Sequence, residues 1–238
     1  LSDPAGIFFC MTSGTTRTHL VWDWNGTLLD DTHAVIQATN AAFAEVELEP
    51  ITLEQYREMY TIPIPRFYER FLGRLPTEAE WERMDGVFHR YYAEQRAACG
   101  LTDGVEELLH QWQRAGRSQS LLSMYGHEQL VPVVRGYGIE PRFVRVEGRT
   151  GPSGGSKALH MERHFAALAG AGGVDGFAPE NAVVIGDALD DAVAAAHVGA
   201  RAVLYTGGSH SRSSLEGAGV PVVDSLGEAV ALAETFVA

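Results

Sequence analysis

Short apolar runs that end abruptly in polar or glycine residues alternate along the chain with amphipathic stretches of helical period. Runs of this kind, without strict polar alternation, belong to parallel strands covered on both faces. They are Leu20 to Trp24, Gln119 to Ser123, Phe143 to Val146, Ala182 to Ile185, Ala202 to Tyr205 and Val220 to Val223. Between them lie predicted helices over Val105 to Ala115, Glu128 to Tyr137, Lys157 to Leu168, Asp190 to Val198 and Leu226 to Phe236. The alternation predicts a Rossmann-like, doubly wound parallel α/β sheet. The stretch from Asp31 to about Thr102 breaks the pattern. It holds no convincing strand and reads as helices over His33 to Val46, Leu53 to Tyr60, Arg66 to Leu72 and Thr77 to Ala98. Within it, Thr61 to Pro65 (TIPIP) is expected to fall outside regular helix, because proline fixes φ and restricts the residue before it. The predicted division is an α/β core from residues 1–31 and 103–238 with an inserted helical unit at 32–102.

Composition narrows the class without changing the fold. The 238 residues are 45% hydrophobic and 21% charged, values of a globular chain rather than a disordered or fibrous one. Eighteen Lys and Arg against 31 Asp and Glu give a net charge of −13, which repels nucleic acid and anionic membranes. Neither partner is expected. Cys10 and Cys99 lie far apart without metal-ligand spacing, so a reducing cytoplasm is the expected setting. The apolar run Ile7 to Met11 is too short for a signal peptide and has no basic segment before it.

Ligands of open parallel sheets bind beyond the carboxyl ends of the strands. Four groups of polar residues fall there: Asp23 to Asp30 (DWNGTLLD), Ser123, Lys157 after the Gly/Ser-rich loop Gly151 to Ser156, and Gly186 to Asp191 (GDALDD). A strand-end carboxylate can attack phosphorus and form an aspartyl-phosphate that water hydrolyses. A hard divalent cation would offset the repulsion between phosphoryl group and carboxylate, and Asp23 and Asp187 are its candidate ligands. Ser123 can donate to a phosphoryl oxygen and Lys157 can place a charge on it. Gly26 allows a sharp turn off the strand, so that backbone N–H groups can face the phosphate. Arg66, which follows the TIPIP break, is a candidate for binding an anionic substrate.

DWNGTLLD, a strand-end serine, a downstream lysine and GDALDD, in this order, resemble the haloacid dehalogenase superfamily and chiefly its phosphatases. The resemblance runs from about Thr18 to the C-terminal region, and the helical insert resembles that superfamily's cap. It implies that Asp23 is the nucleophile, that Ser123 and Lys157 bind the phosphoryl group, and that Asp187 and Asp191 complete a Mg²⁺ site with Asp23 and the main-chain carbonyl of Asn25. Asp191 fits the implied spacing better than Asp190, which can instead cap its helix. Ser120 and Arg149 are the alternatives to Ser123 and Lys157. Where the family's phosphatases carry an aspartate that protonates the leaving oxygen, this chain has Asn25, and an amide cannot exchange that proton. His127 and His33 are the nearest groups that could replace it. The expectation is a Mg²⁺-dependent phosphatase of a small phosphorylated metabolite, monomeric or homodimeric; the alternatives are an impaired phosphate- and Mg²⁺-binding protein, or a phosphotransferase or phosphomutase. Trp22 and Trp24 alternate with Asp23 and are expected in the core.

Overall fold

A computed structural model describes residues 18–151 and 156–236. The Ile7 to Met11 run, Cys10 and residues 152–155 of the Gly/Ser-rich loop lie outside them. In chain order the elements are β1 (His19–Trp22), β2 (Leu29–Asp30), α1 (Thr32–Ala44), α2 (Leu53–Met59), α3 (Ile64–Leu72), α4 (Glu78–Arg96), β3 (Gly100–Leu101), α5 (Val105–Arg114) and β4 (Gln119–Gly126). They continue with α6 (His127–Gly136), β5 (Arg145–Arg149), α7 (Lys157–Ala169), β6 (Ala182–Gly186), α8 (Leu189–His197), β7 (Arg201–Tyr205), α9 (Arg212–Glu216), β8 (Val222–Val223) and α10 (Leu226–Thr235).

Six strands form one parallel sheet in the order β5-β4-β1-β6-β7-β8. The expected doubly wound architecture is therefore present. The chain builds outward from β1 on one side, then crosses back to build on the other, so the switch point lies between β1 and β6. Trp22 pairs with Ile185 across that junction. Asp23 and Asp187 follow these two strands directly, at the crevice where such sheets hold ligands.

Side-chain alternation along β1 decides what each residue meets. Leu20 and Trp22 enter a core with α5, α6 and α10, through Leu109, Leu130 and Ala229 among others. Val21 points the other way, into a core with Met161 and Phe165 of α7 and Ala195 of α8. Asp23 continues the Val21 phase, toward α7 and α8. Trp22 and Trp24 are fully buried in the first core, as expected.

The inserted helices stand over this edge and carry their own cluster around Phe43, Tyr56, Phe67 and Met84. Capping boxes at Thr52 with Gln55 and at Thr77 with Glu80 start α2 and α4. Helix α3 begins at Ile64, so Ile64 and Pro65 of TIPIP are helical, contrary to expectation. Proline is tolerated in a first turn, where its missing N–H would have had no helical partner. The insert also contains a strand that periodicity did not predict. Residues Gly100–Leu101 pair antiparallel with Leu29–Asp30 and form the neck between the two units. Two residues are too few for a readable period.

Strand β4 runs on to Gly126, beyond the expected end at Ser123, and its register against β5 shifts between Leu122 and Gly126. Strand β5 starts at Arg145 rather than Phe143.

Candidate active site

Lys157, the first residue of α7, joins the carboxylates of two other elements. Its buried ammonium donates to Asp23 Oδ1 at 2.5 Å and to Asp191 Oδ1. Asp23, Asp187 and Asp191 each offer an oxygen within 4.8 Å of the others. All three carboxylates are buried. Burial pushes Asp23 up to about 8, reinforced by Asp191 and Asp187 and opposed by Lys157. Burial raises Asp187 to about 6, with Asp191 adding to the effect. Lys157 loses some basicity to burial, but Asp191 and Asp23 more than restore it and hold its pKa above that of a free lysine. One ammonium against three carboxylates leaves a negative excess that a hard cation would discharge.

Each carboxylate is fixed locally. Asp187 Oδ2 accepts from the Ser209 N–H and from its hydroxyl, both at 2.6 Å, and Thr27 donates to Oδ1 at 3.2 Å. Asp191 folds back to accept from the Ala188 N–H at 3.0 Å. Asp190 does not cap its own helix; it accepts from the backbone N–H of Lys157 at 3.3 Å and so steadies the start of α7. Ser123 is buried at the cavity, and its Oγ accepts from the Tyr125 N–H at 3.0 Å, within the β4 irregularity. Ser120 is drawn into the core by His19 and His164, at 2.8 Å each, and is not the alternative phosphate ligand.

Gly26 has φ +69°, and a Cβ there would stand 2.7 Å from Asp187 Oδ2, so glycine is required. Its N–H, however, donates to Asp31 Oδ1 at 2.8 Å instead of facing a phosphate. Asp31 gathers the rest of this corner. Its Oδ2 accepts from Asn25 Nδ2 at 2.7 Å and from the Tyr92 hydroxyl at 2.6 Å. Burial raises the Asp31 pKa while Tyr92, Asn25 and Gly26 lower it; with donors on both oxygens it acts as an acceptor. Nothing in the local sequence around Asp31 signals this role, since its partner Tyr92 lies at the far end of the insert.

Arg66 is not at the cavity. Its side chain is 57% exposed and pairs with Glu69 at 2.7 Å, because the phase set by the Pro63 start turns it to solvent. His33 is exposed and bonded to Gln37, and His127 accepts from the Gly148 N–H at 3.1 Å. Neither lines the cavity over Asp23. Arg149 does line it, donating Nε to the Met124 carbonyl at 3.1 Å.

The inserted unit touches this machinery through α2. Arg57 donates to the carbonyls of Gly207 and Gly208, at 2.6 and 2.7 Å, and its own carbonyl accepts from the Ser211 N–H. The clasped segment is the one whose Ser209 holds Asp187. Its Gly-Gly-Ser sequence, one residue past the end of β7, was the available signal for this site. Together the core rim and the insert enclose a cavity of about 580 Å³ with Asp23, Ser123, Lys157, Asp187 and Asp191 at its floor.

Comparison with known proteins agrees with this fold. The family model for the haloacid dehalogenase-like hydrolases matches residues 18–199. A phosphoglycolate phosphatase of Synechococcus elongatus is 24% identical over 198 residues, covering 82% of this chain and 87% of its own. A haloacid dehalogenase-like hydrolase from Streptococcus pneumoniae superposes with a TM-score of 0.74 at 17% identity, over 92% of this chain and 99% of that one. A predicted phosphatase from Clostridium acetobutylicum also superposes at 0.74, with 16% identity over 92% and 97% of the two chains. These structural likenesses show the shared fold. With the family match spanning most of the sequence, this chain belongs to the haloacid dehalogenase-like hydrolases.

Proposed function

We propose that the chain is a Mg²⁺-dependent phosphatase that hydrolyses a small phosphorylated metabolite in the cytoplasm through an aspartyl-phosphate on Asp23. The observation that carries the reading is the convergence of Asp23, Lys157, Asp187 and Asp191 at the floor of a capped cavity. Asp23 supplies the attacking oxygen, and Lys157 opposes the burial that raises its pKa. Lys157 and Ser123 receive phosphoryl oxygens. The donor set fits Mg²⁺: three buried, hard oxygen ligands with an uncompensated negative charge. Asp23, Asp187, Asp191 and the Asn25 carbonyl would hold it. Bound there, the ion would neutralise charge on the transferring phosphoryl group. The helices over the site exclude bulk water during the first transfer. A phosphatase-named relative in Synechococcus elongatus supports the reaction class.

Release of phosphate from a panel of monoesters tests this, with Mg²⁺, with EDTA and with Asp23→Asn. Metal-dependent turnover that disappears in the variant is the expected result. Asn25 supports a second reading, a phosphate- and Mg²⁺-binding protein without turnover, because its amide is committed to Asp31. Binding of both ligands without hydrolysis of any ester would favour it.

A further inference from the structure

The leaving group of a phosphoester bound over Asp23 would occupy the upper half of the cavity, and that half is aromatic. Tyr60, Phe67, Tyr68, Trp81 and Phe88 line it. The rings brace one another, with centroids 6.0 Å apart for Tyr60 and Phe67, 5.6 Å for Phe67 and Tyr68, and 6.1 Å for Tyr68 and Trp81. Such a wall favours flat apolar groups. Among the described lining residues the lysine and arginine are Lys157 and Arg149, both on the core side and both already bonded. The ionisable pair that α4 adds, Asp85 and His89, face each other at 3.4 Å. A carboxylate on the leaving group would thus lose its water for few cationic partners. The volume of about 580 Å³ sits within the range that buries molecules of several rings.

A second observation concerns the reaction itself. Asn25 donates to Asp31 and to Tyr92, and Asp31 has both oxygens engaged by donors, so this corner has no proton aimed at a departing oxygen. A substrate suited to the site must leave without one.

Resting on the phosphatase reading above, we propose that the preferred substrates are aryl phosphates, monoesters of phenols carrying an apolar ring system. The Asp23 carboxylate oxygen forms a bond to phosphorus as the bond from phosphorus to the aryl oxygen breaks, and the electron pair departs on a phenolate. A phenol ionises near pH ~10, far below an alkanol, so its oxygen leaves unprotonated and takes a proton from solvent afterwards. Water then attacks phosphorus, the acyl phosphate bond breaks, Asp23 regains its carboxylate, and the water's second proton departs with the released phosphate.

The test compares phenyl, substituted phenyl and 1-naphthyl phosphates with phosphoglycolate, glycerol phosphate and glucose 6-phosphate, all with Mg²⁺. Expected are a kcat/KM at least 100-fold higher for the aryl esters, a kcat that rises with phenol acidity, and a KM at least threefold lower for naphthyl than for a phenyl ester of matched acidity. Ile62 lines the cavity and is 49% exposed, so Ile62→Arg should fold and should raise the naphthyl KM about tenfold while inhibition by inorganic phosphate holds. Val35→Arg, from α1, repeats the test at a second lining position. Phosphoglycolate or a sugar phosphate turned over as well as the aryl esters would overturn the substrate assignment and leave the phosphatase standing. No phosphate from any ester would overturn the phosphatase reading itself.

Discussion

Asn25 changes what a single substitution can restore. A general acid contributes ~100- to 10,000-fold to such reactions. Yet in Asn25→Asp the new carboxyl would meet Asp31 where the amide now sits 2.7 Å away, and any proton it keeps would be shared with Asp31 rather than offered to the substrate. We expect a gain below tenfold on alkyl phosphates, read as kcat; a thousandfold gain would show that the side chain turns into the cavity. Lys157 presents the opposite case, since removing one partner of a buried ion pair strands the others. Lys157→Met should cost on the order of 3–5 kcal/mol in urea unfolding with EDTA present, and measurably less with Mg²⁺. An equal loss in both conditions would argue against a cation among these carboxylates. At this scale the sequence was legible where chemistry coincides with strand ends: Asp23 and Asp187 needed only the alternation that ends each strand, whereas Ser123 lies inside β4, before its end at Gly126. Asp31 and Tyr92 were not, because 61 positions and a folded helical unit separate two side chains that touch.

Among elements, a buried hydrogen-bond chain ties α7, which carries Lys157 at its tip, to the sheet. Glu147 of β5 accepts from His164 Nδ1 at 2.5 Å, and burial keeps the His164 pKa below its ordinary value. With that imidazole neutral, its Nε2 accepts from the Ser120 hydroxyl at 2.8 Å. Ser120 Oγ in turn accepts from His19 Nε2, and His19 Nδ1 accepts from Ser118. Burial, with His164 adding to it, depresses His19 to about 3. Both rings ionise more readily in the unfolded chain, near pH ~6.5, so the unfolded state binds more protons below that pH. Stability should therefore hold above pH ~6.5 and fall as the pH drops toward 4, by up to about 1.4 kcal/mol per pH unit for each ring. Urea titrations at several pH values check this, and His19→Gln should flatten the slope. The helices of the insert were visible in the sequence because caps and apolar period agree there. Their orientation was not: Arg66 was assigned to the site from its place in the sequence, whereas the starting turn of α3 rotates it outward.

For the whole molecule, the fold could be anticipated because buried parallel strands are short, apolar and sharply ended, so their succession reveals a doubly wound sheet. The neck strands could not, as two residues have no pattern. Beside the neck and the Tyr92 contacts, the two units are joined by the Arg57 clasp on Gly207 and Gly208. Removing it in Arg57→Ala should lower Mg²⁺ affinity several-fold, read by calorimetry, because Ser209 then holds Asp187 less firmly; Arg57→Lys should recover part of the loss, and unchanged affinity would sever the link. This clasp also bears on how such proteins can be recombined. A helical unit transplanted from a relative brings its own leaving-group chamber, but it leaves a core loop that was shaped to be gripped from above. Chimeras of this chain should exchange selectivity cleanly only when the grafted unit presents a guanidinium at the position of Arg57. Diversification by swapping whole lids is, for this protein, constrained by one side chain that belongs structurally to the lid and functionally to the floor.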